Sequence, residues 1–93
     1  MEEAARIVRH YREHYDGTGY PDHLKAEEIP LGSRIVAIVS HYEDKVATRL
    51  HSPAMSHDEA LAELVNNKTS EFDPQIVDLA LEIITPRTIS AEV

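Results

Sequence analysis

The sequence predicts an all-α fold, a small bundle of about four helices around one core. Apolar residues recur three and four positions apart over long segments, which is the period of a helix face. Helix-start signals precede two of these segments, and no stretch of alternating apolar and polar residues is long enough for a strand. A length of 93 residues suits one small domain.

The first helix is predicted from about Glu2 to Tyr15. Glu2 and Glu3 suit the positive end of the helix dipole, and Asp16-Gly17 is expected to end the helix because glycine tolerates a positive φ. One apolar stripe runs along this segment and consists of Ala4, Ile7, Val8, Tyr11 and Tyr15. The helix begins almost at Met1 without a capping residue, so we expect an upstream part to be missing.

A second long helix is predicted from about Leu31 to Ala47, after a short helical turn within residues 24–29 and a break at Pro30. Its apolar face is broad and consists of Ile35, Val36, Ile38, Val39, Tyr42 and Val46. Two long helices with such faces present more apolar surface than two short helices can cover. We therefore expect the chain to form a symmetric homodimer. The alternative is a monomer whose first helix folds back or frays.

The third and fourth helices have clear start signals. Ser56 followed by Glu59 is a capping box, and Asp73-Pro74 places a capping residue before a proline at the first helical position. Pro86 is expected to end the fourth helix. The predicted domain therefore covers residues 1–86, and residues 87–93 form a tail.

Composition excludes several classes of protein. The net charge is −8 at pH 7, so the chain should repel the phosphates of a nucleic-acid polymer. No cysteine is present, which excludes disulfides and thiolate metal sites and fits a cytoplasmic setting. No apolar run approaches the ~20 residues that span a bilayer, so no membrane association is expected.

The segment HYREHYDGTGYP contains a candidate metal-binding motif. His10, Glu13 and His14 form the pattern H-x-x-E-H, in which two histidines four residues apart lie on one helical face and can share a zinc ion. Such a site needs a third ligand from elsewhere in the chain. The alternative is that these polar side chains lie on a solvent-exposed face.

A longer match concerns the stretch REHYDGTGYPDHLKAEEIPLGSRIVAIVSHYEDKVATR. It closely resembles the second half of HD-GYP domains, which are bacterial HD-superfamily phosphohydrolases that cleave cyclic di-GMP. The residues in register are Glu13, Asp16, Gly17, Gly19, Tyr20, Pro21, Glu28, Ile29, Pro30, Arg34 and Tyr42. The resemblance implies part of an HD-superfamily fold, namely the C-terminal half of the domain.

The resemblance also implies a degenerate metal site. The paired histidines of the family, both metal ligands, fall on Tyr11 and Arg12, and a metal-binding aspartate of the second long helix falls on Ser40. The His-Asp pair and the catalytic lysine of the family belong to an upstream half outside this sequence. We therefore expect no catalytic residue here and no bound iron or manganese, and we expect Tyr11 and Ser40 to face inward and line one emptied pocket.

Some positions with a role in the family are retained. Tyr20 and Arg49 match residues that lie near the substrate's phosphates, and are weak candidates for ligand binding. Gly17, Gly19, Tyr20 and Pro21 match the loop that is implicated in docking to diguanylate cyclase domains. The resemblance thus implies a catalytically inactive domain with a regulatory or protein-interaction role in cyclic di-GMP signalling. The alternative is one part of an active, metal-dependent phosphodiesterase whose HD half lies upstream or on another chain.

Overall fold

The computed structural model describes residues 2–47 and 53–91, with side chains up to residue 83. The helices in chain order are α1 (Glu2–His10), a single 3₁₀ turn (Ala26–Glu28), α2 (Leu31–Val46), α3 (His57–Asn66) and α4 (Pro74–Ala91). Within these residues there is no strand, so the prediction of an all-α fold is confirmed.

The predicted helix starts of α3 and α4 are confirmed. The hydroxyl of Ser56 accepts the backbone N–H of Glu59 at 3.1 Å, and the Glu59 carboxylate accepts the N–H of Ser56 at 2.9 Å. Asp73 caps α4, because its Oδ1 accepts the N–H of Gln75 at 2.9 Å. Both helices therefore begin with side-chain acceptors for N–H groups that have no partner inside the helix.

The core lies where α2, α3 and α4 meet. Its buried members are Ile38, Leu61, Leu64, Phe72 and Val77. An ion pair fixes α2 to the start of α4: Arg34 Nη1 donates to Asp73 Oδ2 at 2.9 Å, with both side chains largely buried. Helix α1 packs on α2, and the Ser33 hydroxyl donates to the carbonyl of Ile7 at 2.9 Å.

The expected C-terminus of the first helix is wrong. Helix α1 ends at His10, five residues before Tyr15. The N–H groups of Tyr15 and Asp16 instead bond the carbonyls of Glu71 and Ser70, at 3.0 and 2.9 Å. Since each N–H already has a tertiary partner, residues 11–16 have little to gain from continuing the helix.

The expected end of the fourth helix at Pro86 is also wrong, because α4 continues to Ala91. Proline removes one N–H donor and disfavours a helix interior, but its cost of about 3 kcal/mol does not forbid helical backbone on both sides. The boundary between domain and tail stays a prediction. Among the described residues, no helix combines the length and apolarity needed to cross a bilayer.

Candidate functional site

A cleft of about 400 Å³ lies between the segment that follows α1 and the middle of α2. Tyr11 and Ser40 both line it, as the sequence predicts. Ser40 is solvent-exposed and Tyr11 is half-buried, so the expectation that both face inward is wrong for Ser40. The remaining walls come from Arg12, Glu13, His14, Tyr20, Ala37, His41, Asp44, Glu71 and Phe72.

Arg12 places a positive charge at this cleft. Its Nε donates to the Tyr11 hydroxyl at 3.3 Å, and its guanidinium carbon lies 5.6 Å from the centre of the Tyr11 ring. The hydrogen bond to Tyr11 and the interaction with Tyr20 raise the pKa of Arg12 above its already high ordinary value. Arg12 therefore stays protonated at any pH at which the protein is folded.

Glu13 lines the cleft, but its carboxylate binds the backbone of the loop. Its side chain is fully buried, and its carboxylate accepts the backbone N–H of Asp22 at 2.8 Å and that of Leu24 at 2.9 Å. His10 Nδ1 lies 3.1 Å from the same carboxylate. Burial acts to raise the pKa of Glu13, but the bonds from Asp22, His10 and Leu24 outweigh it and lower the pKa.

His10, Glu13 and Asp22 form one group of potential metal ligands, with ligand atoms within 4.8 Å of one another. These atoms already have protein partners. Both oxygens of Asp22 accept hydrogen bonds from Arg9 at 3.0 Å, while Glu13 binds two backbone N–H groups. A metal ion would have to replace these bonds and lie beside the Arg9 guanidinium, so the group fits a loop clamp better than a metal centre.

The zinc-protease interpretation of H-x-x-E-H is wrong. It requires His10 and His14 on one helical face, but α1 ends at His10. His14 Nδ1 contacts the Thr18 hydroxyl at 3.2 Å, and its Nε2 lies 4.0 Å from Glu71. The alternative of a plain exposed face is also wrong for His10 and Glu13, which are buried.

Two glycines shape the loop between residues 16 and 22 for different reasons. Gly17 has φ +88°, a left-handed conformation that other residues disfavour. At Gly19 the constraint is space, because a Cβ atom would lie 2.3 Å from the backbone nitrogen of His14 and 2.6 Å from the carbonyl oxygen of Arg12. The carboxylate of Asp16 accepts the N–H and hydroxyl of Thr18, and these bonds lower the pKa of Asp16.

The weak ligand candidates have different outcomes. Tyr20 lines the cleft and is 58% exposed. Arg49 lies outside the described residues. The motifs in the sequence do not single out His41. It lines the wall, with Nε2 2.7 Å from Glu63 and its ring 5.0 Å from that of Phe72. Only the packing of α2 against α3 reveals this contact.

The residues at three positions where the HD-GYP resemblance implies metal ligands do not fit iron or manganese. These positions carry a phenol at Tyr11, a permanently charged guanidinium at Arg12 and a hydroxyl at Ser40. Tyrosine and serine are poor ligands for these metals when neutral, and arginine cannot offer a lone pair. A fixed positive charge additionally opposes the approach of a divalent cation.

Comparison with known proteins gives close relatives. The chain is 39% identical over 80 residues to a cyclic di-GMP phosphodiesterase of Vibrio cholerae, covering 86% of this chain and 16% of that protein. It is 42% identical over 77 residues to the cyclic di-GMP phosphodiesterase response regulator RpfG of Xanthomonas campestris, covering 83% and 20%. The chain thus spans only a fifth or less of the length of these relatives.

A solved structure supports the same relationship. The crystal structure of a cyclic GMP-AMP specific phosphodiesterase of V. cholerae (V-cGAP3) superimposes with a TM-score of 0.81 at 30% identity. The superposition covers 97% of this chain and 20% of that one. The family model of the HD domain matches residues 1–76, which is most of the chain. This protein therefore belongs to the HD domain family.

Proposed function

We propose that this chain is a degenerate HD-GYP-type domain that acts in cyclic di-GMP signalling by binding and does not hydrolyse a phosphodiester. The observation that carries the proposal is the side chain of Arg12. It brings a permanent cation to the cleft at a position where the resemblance implies a metal-ligating histidine.

The chemistry of the reaction supports this proposal. Hydrolysis of a phosphodiester by a metallohydrolase needs a metal-activated water and cations that neutralise the phosphate. Arg12 can supply positive charge but cannot activate a water molecule as a metal does. Ser40 and Tyr11 offer neutral hydroxyl groups at the neighbouring positions. The cleft can therefore contact an anion or a protein surface, but the three positions at which the resemblance implies metal ligands lack the groups for the chemical step.

The loop after α1 is suited to protein recognition. Its backbone is fixed by the Glu13 carboxylate and by the close approach of Gly19 to His14, so it is ordered before any partner binds. It presents the exposed Tyr20 and Pro21. On the family resemblance, we propose a diguanylate cyclase-type domain or another signalling protein as the partner of this loop.

The proposal is tested by elemental analysis of the purified, tag-free protein together with a cyclic di-GMP hydrolysis assay in the presence of Fe²⁺ and Mn²⁺. We expect far less than one equivalent of either metal per chain, and a rate of cyclic di-GMP hydrolysis no higher than in buffer without protein. One equivalent of metal with measurable hydrolysis would overturn the proposal. Binding of cyclic di-GMP without turnover would support it.

The second candidate is one part of an active phosphodiesterase whose HD half lies upstream or on another chain. It is favoured by the 39% identity to a cyclic di-GMP phosphodiesterase of which this chain matches only 16%. The test is to express the longest natural reading frame that contains these residues and to assay its hydrolysis of cyclic di-GMP. Metal-dependent turnover that is lost on Ser40→Ala would establish this candidate in place of the first.

A further inference from the structure

The dipeptide Asp16-Gly17, at the start of the loop, is a chemically labile sequence. In the 93 residues it is the only aspartate that precedes a glycine, and no asparagine does so. Glycine has no side chain to shield its backbone nitrogen, so this nitrogen can approach the carboxyl carbon of the preceding aspartate more easily than the nitrogen of any other residue. Asp16 is also solvent-exposed, so water has access to it.

The reaction open to this dipeptide is an isomerisation in two steps. In the first, the nitrogen of Gly17 bonds to Cγ of Asp16, and the carboxyl OH leaves with the amide proton as water, which closes a five-membered succinimide ring. In the second, one water molecule adds to a ring carbonyl and breaks its bond to nitrogen. Opening at Cγ restores aspartate, whereas opening at the main-chain carbonyl gives isoaspartate, in which the backbone runs through Cβ and Cγ. The water lost is regained, so no other reactant is needed.

The carboxylate of Asp16 is held in a state that opposes the first step. Its Oδ1 accepts the Thr18 hydroxyl at 2.6 Å and the Thr18 backbone N–H at 3.0 Å. These bonds, and the one from the hydroxyl most strongly, lower the pKa of Asp16. The group is therefore ionised at neutral pH. An ionised carboxylate resists attack, because its negative charge repels the nucleophile and it has no neutral OH to release.

The groups around this carboxylate are held as well. The N–H of Gly17 donates to the carbonyl of His14 at 2.8 Å, and the N–H of Asp16 donates to the carbonyl of Ser70 at 2.9 Å. The Thr18 hydroxyl uses its one proton on Asp16, so His14 Nδ1, which lies 3.2 Å from the hydroxyl oxygen, is the donor of that contact. Both the attacking nitrogen and the carboxylate must therefore leave hydrogen bonds before the ring can close.

We propose that Asp16-Gly17 is a site of spontaneous isoaspartate formation, and that the Thr18 hydroxyl suppresses this modification in the folded chain. The inference rests on contacts among residues 14–18 and Ser70, and does not depend on the proposed function. Its consequence for the loop is large. Isoaspartate lengthens the backbone by one carbon just before Gly17, close to Gly19, where not even a Cβ atom has room beside His14.

Ageing of the purified chain at neutral pH, below its unfolding temperature, tests the proposal. Isoaspartate is quantified by enzymatic methylation and located by peptide mapping with fragmentation that separates the two isomers, because the mass does not change. We expect Thr18→Val, which keeps the shape of threonine without its hydroxyl, to form isoaspartate at residue 16 about tenfold faster than the unmodified chain, the scale of one lost hydrogen bond to a charged group. Thr18→Ser keeps a hydroxyl and should react almost as slowly as the unmodified chain.

The matched control is Glu13→Gln. It weakens the bonds that fix the other end of the loop, at Asp22 and Leu24, but leaves the contact between Asp16 and Thr18 in place. Its rate of isomerisation should stay close to that of the unmodified chain, with folding of each variant checked by circular dichroism. Equal acceleration in Glu13→Gln and Thr18→Val would overturn the role of Thr18, since a general loosening of the loop would then explain both.

The chain unfolded in urea gives a test that needs no variant. There the hydrogen bonds to Asp16 and Gly17 are lost, so isoaspartate at residue 16 should form several times faster than in the folded chain. A folded chain that reacts as fast as the unfolded one, or an unfolded chain that forms no isoaspartate at residue 16, would overturn the proposal even if Thr18→Val failed to fold.

Discussion

The carboxylate of Glu13 accepts the backbone N–H of Asp22 at 2.8 Å, and it does so with its side chain fully buried. A buried carboxylate is costly unless hydrogen bonds satisfy it, and here the N–H of Leu24 and the ring of His10 complete the set. The Gly-Tyr-Pro loop is thus closed at its base by one side chain from the segment that precedes it.

The first prediction concerns the pH dependence of this clamp. The pKa of Glu13 is lower in the folded protein than its ordinary value, so its ionisation stabilises the fold above about pH 4.3, the unfolded value, and this stabilisation is lost as pH falls through the lower folded pKa. We expect Glu13→Gln to lower the free energy of unfolding at pH 7 by about 1–3 kcal/mol. The variant should also lose less stability than the unmodified chain between pH 5 and pH 3.

Urea denaturation at a series of pH values measures both effects. The control is Glu27→Gln, because Glu27 is an exposed glutamate in the same part of the chain. This variant should change the free energy of unfolding little at any pH. Parallel pH profiles for Glu13→Gln and the unmodified chain would contradict the role assigned to Glu13. The lowered pKa values of Asp16 and Asp22 leave some acid sensitivity in the variant.

The second prediction separates the two loop glycines. Gly19→Ala should destabilise the protein by about 3 kcal/mol or more, since its Cβ would overlap the backbone of His14 and Arg12, which cannot move aside as a side chain can. Gly17→Ala should lower the free energy of unfolding by only about 1–2 kcal/mol, which is the usual cost of a left-handed conformation for alanine. The new Cβ would have room, because the nearest atom, Cβ of Lys25, would lie 3.5 Å away. Thermal melts that rank the two variants in the opposite order would show that the loop has a different conformation.

The third prediction concerns Asp73, which both caps α4 and pairs with Arg34. Asp73→Asn keeps an oxygen for the cap but removes the charge, whereas Asp73→Ala removes both. We expect Asp73→Ala to lower the free energy of unfolding by about 3–5 kcal/mol, because it removes the helix cap and leaves a largely buried guanidinium without its carboxylate, with the Ile29 carbonyl still bound to Nε. Asp73→Asn should cost clearly less. Equal costs in chemical denaturation would mean that the helix cap contributes nothing.

The fold was largely predictable because its signals are local. The capping box at Ser56 and the Asp73-Pro74 pair act within a few residues, and the structure places α3 and α4 directly after them. The C-terminus of α1 was not predictable. The apolar stripe continues to Tyr15, but the N–H groups of Tyr15 and Asp16 bond residues more than fifty positions away, and a periodicity argument contains no information on such distant partners.

The site was predictable in its location but not in its contacts. Family register places Tyr11 and Ser40 together, and both line the cleft. The roles of Glu13 and His41 could not be read from spacing, because each is defined by a tertiary contact, Glu13 with the loop backbone and His41 with Glu63. Without knowledge of these contacts, a glutamate such as Glu13 is expected to be solvent-exposed.

The last prediction tests whether Arg12 keeps metal out of the cleft. The triple variant Tyr11→His/Arg12→His/Ser40→Asp restores the residue types that the family resemblance implies at these positions, and imidazole and carboxylate groups suit Mn²⁺ and Fe²⁺ far better than those present. We expect it to bind Mn²⁺ at least tenfold more tightly than the unmodified chain in calorimetric titration. The matched control is Tyr11→His/Ser40→Asp, which adds two ligands but keeps the guanidinium, and should bind more weakly than the triple variant. Equal affinity of the two variants would show that the charge of Arg12 is irrelevant to metal binding. Tight binding by the unmodified chain itself would mean that the cleft, or the His10–Glu13–Asp22 group, holds a metal after all.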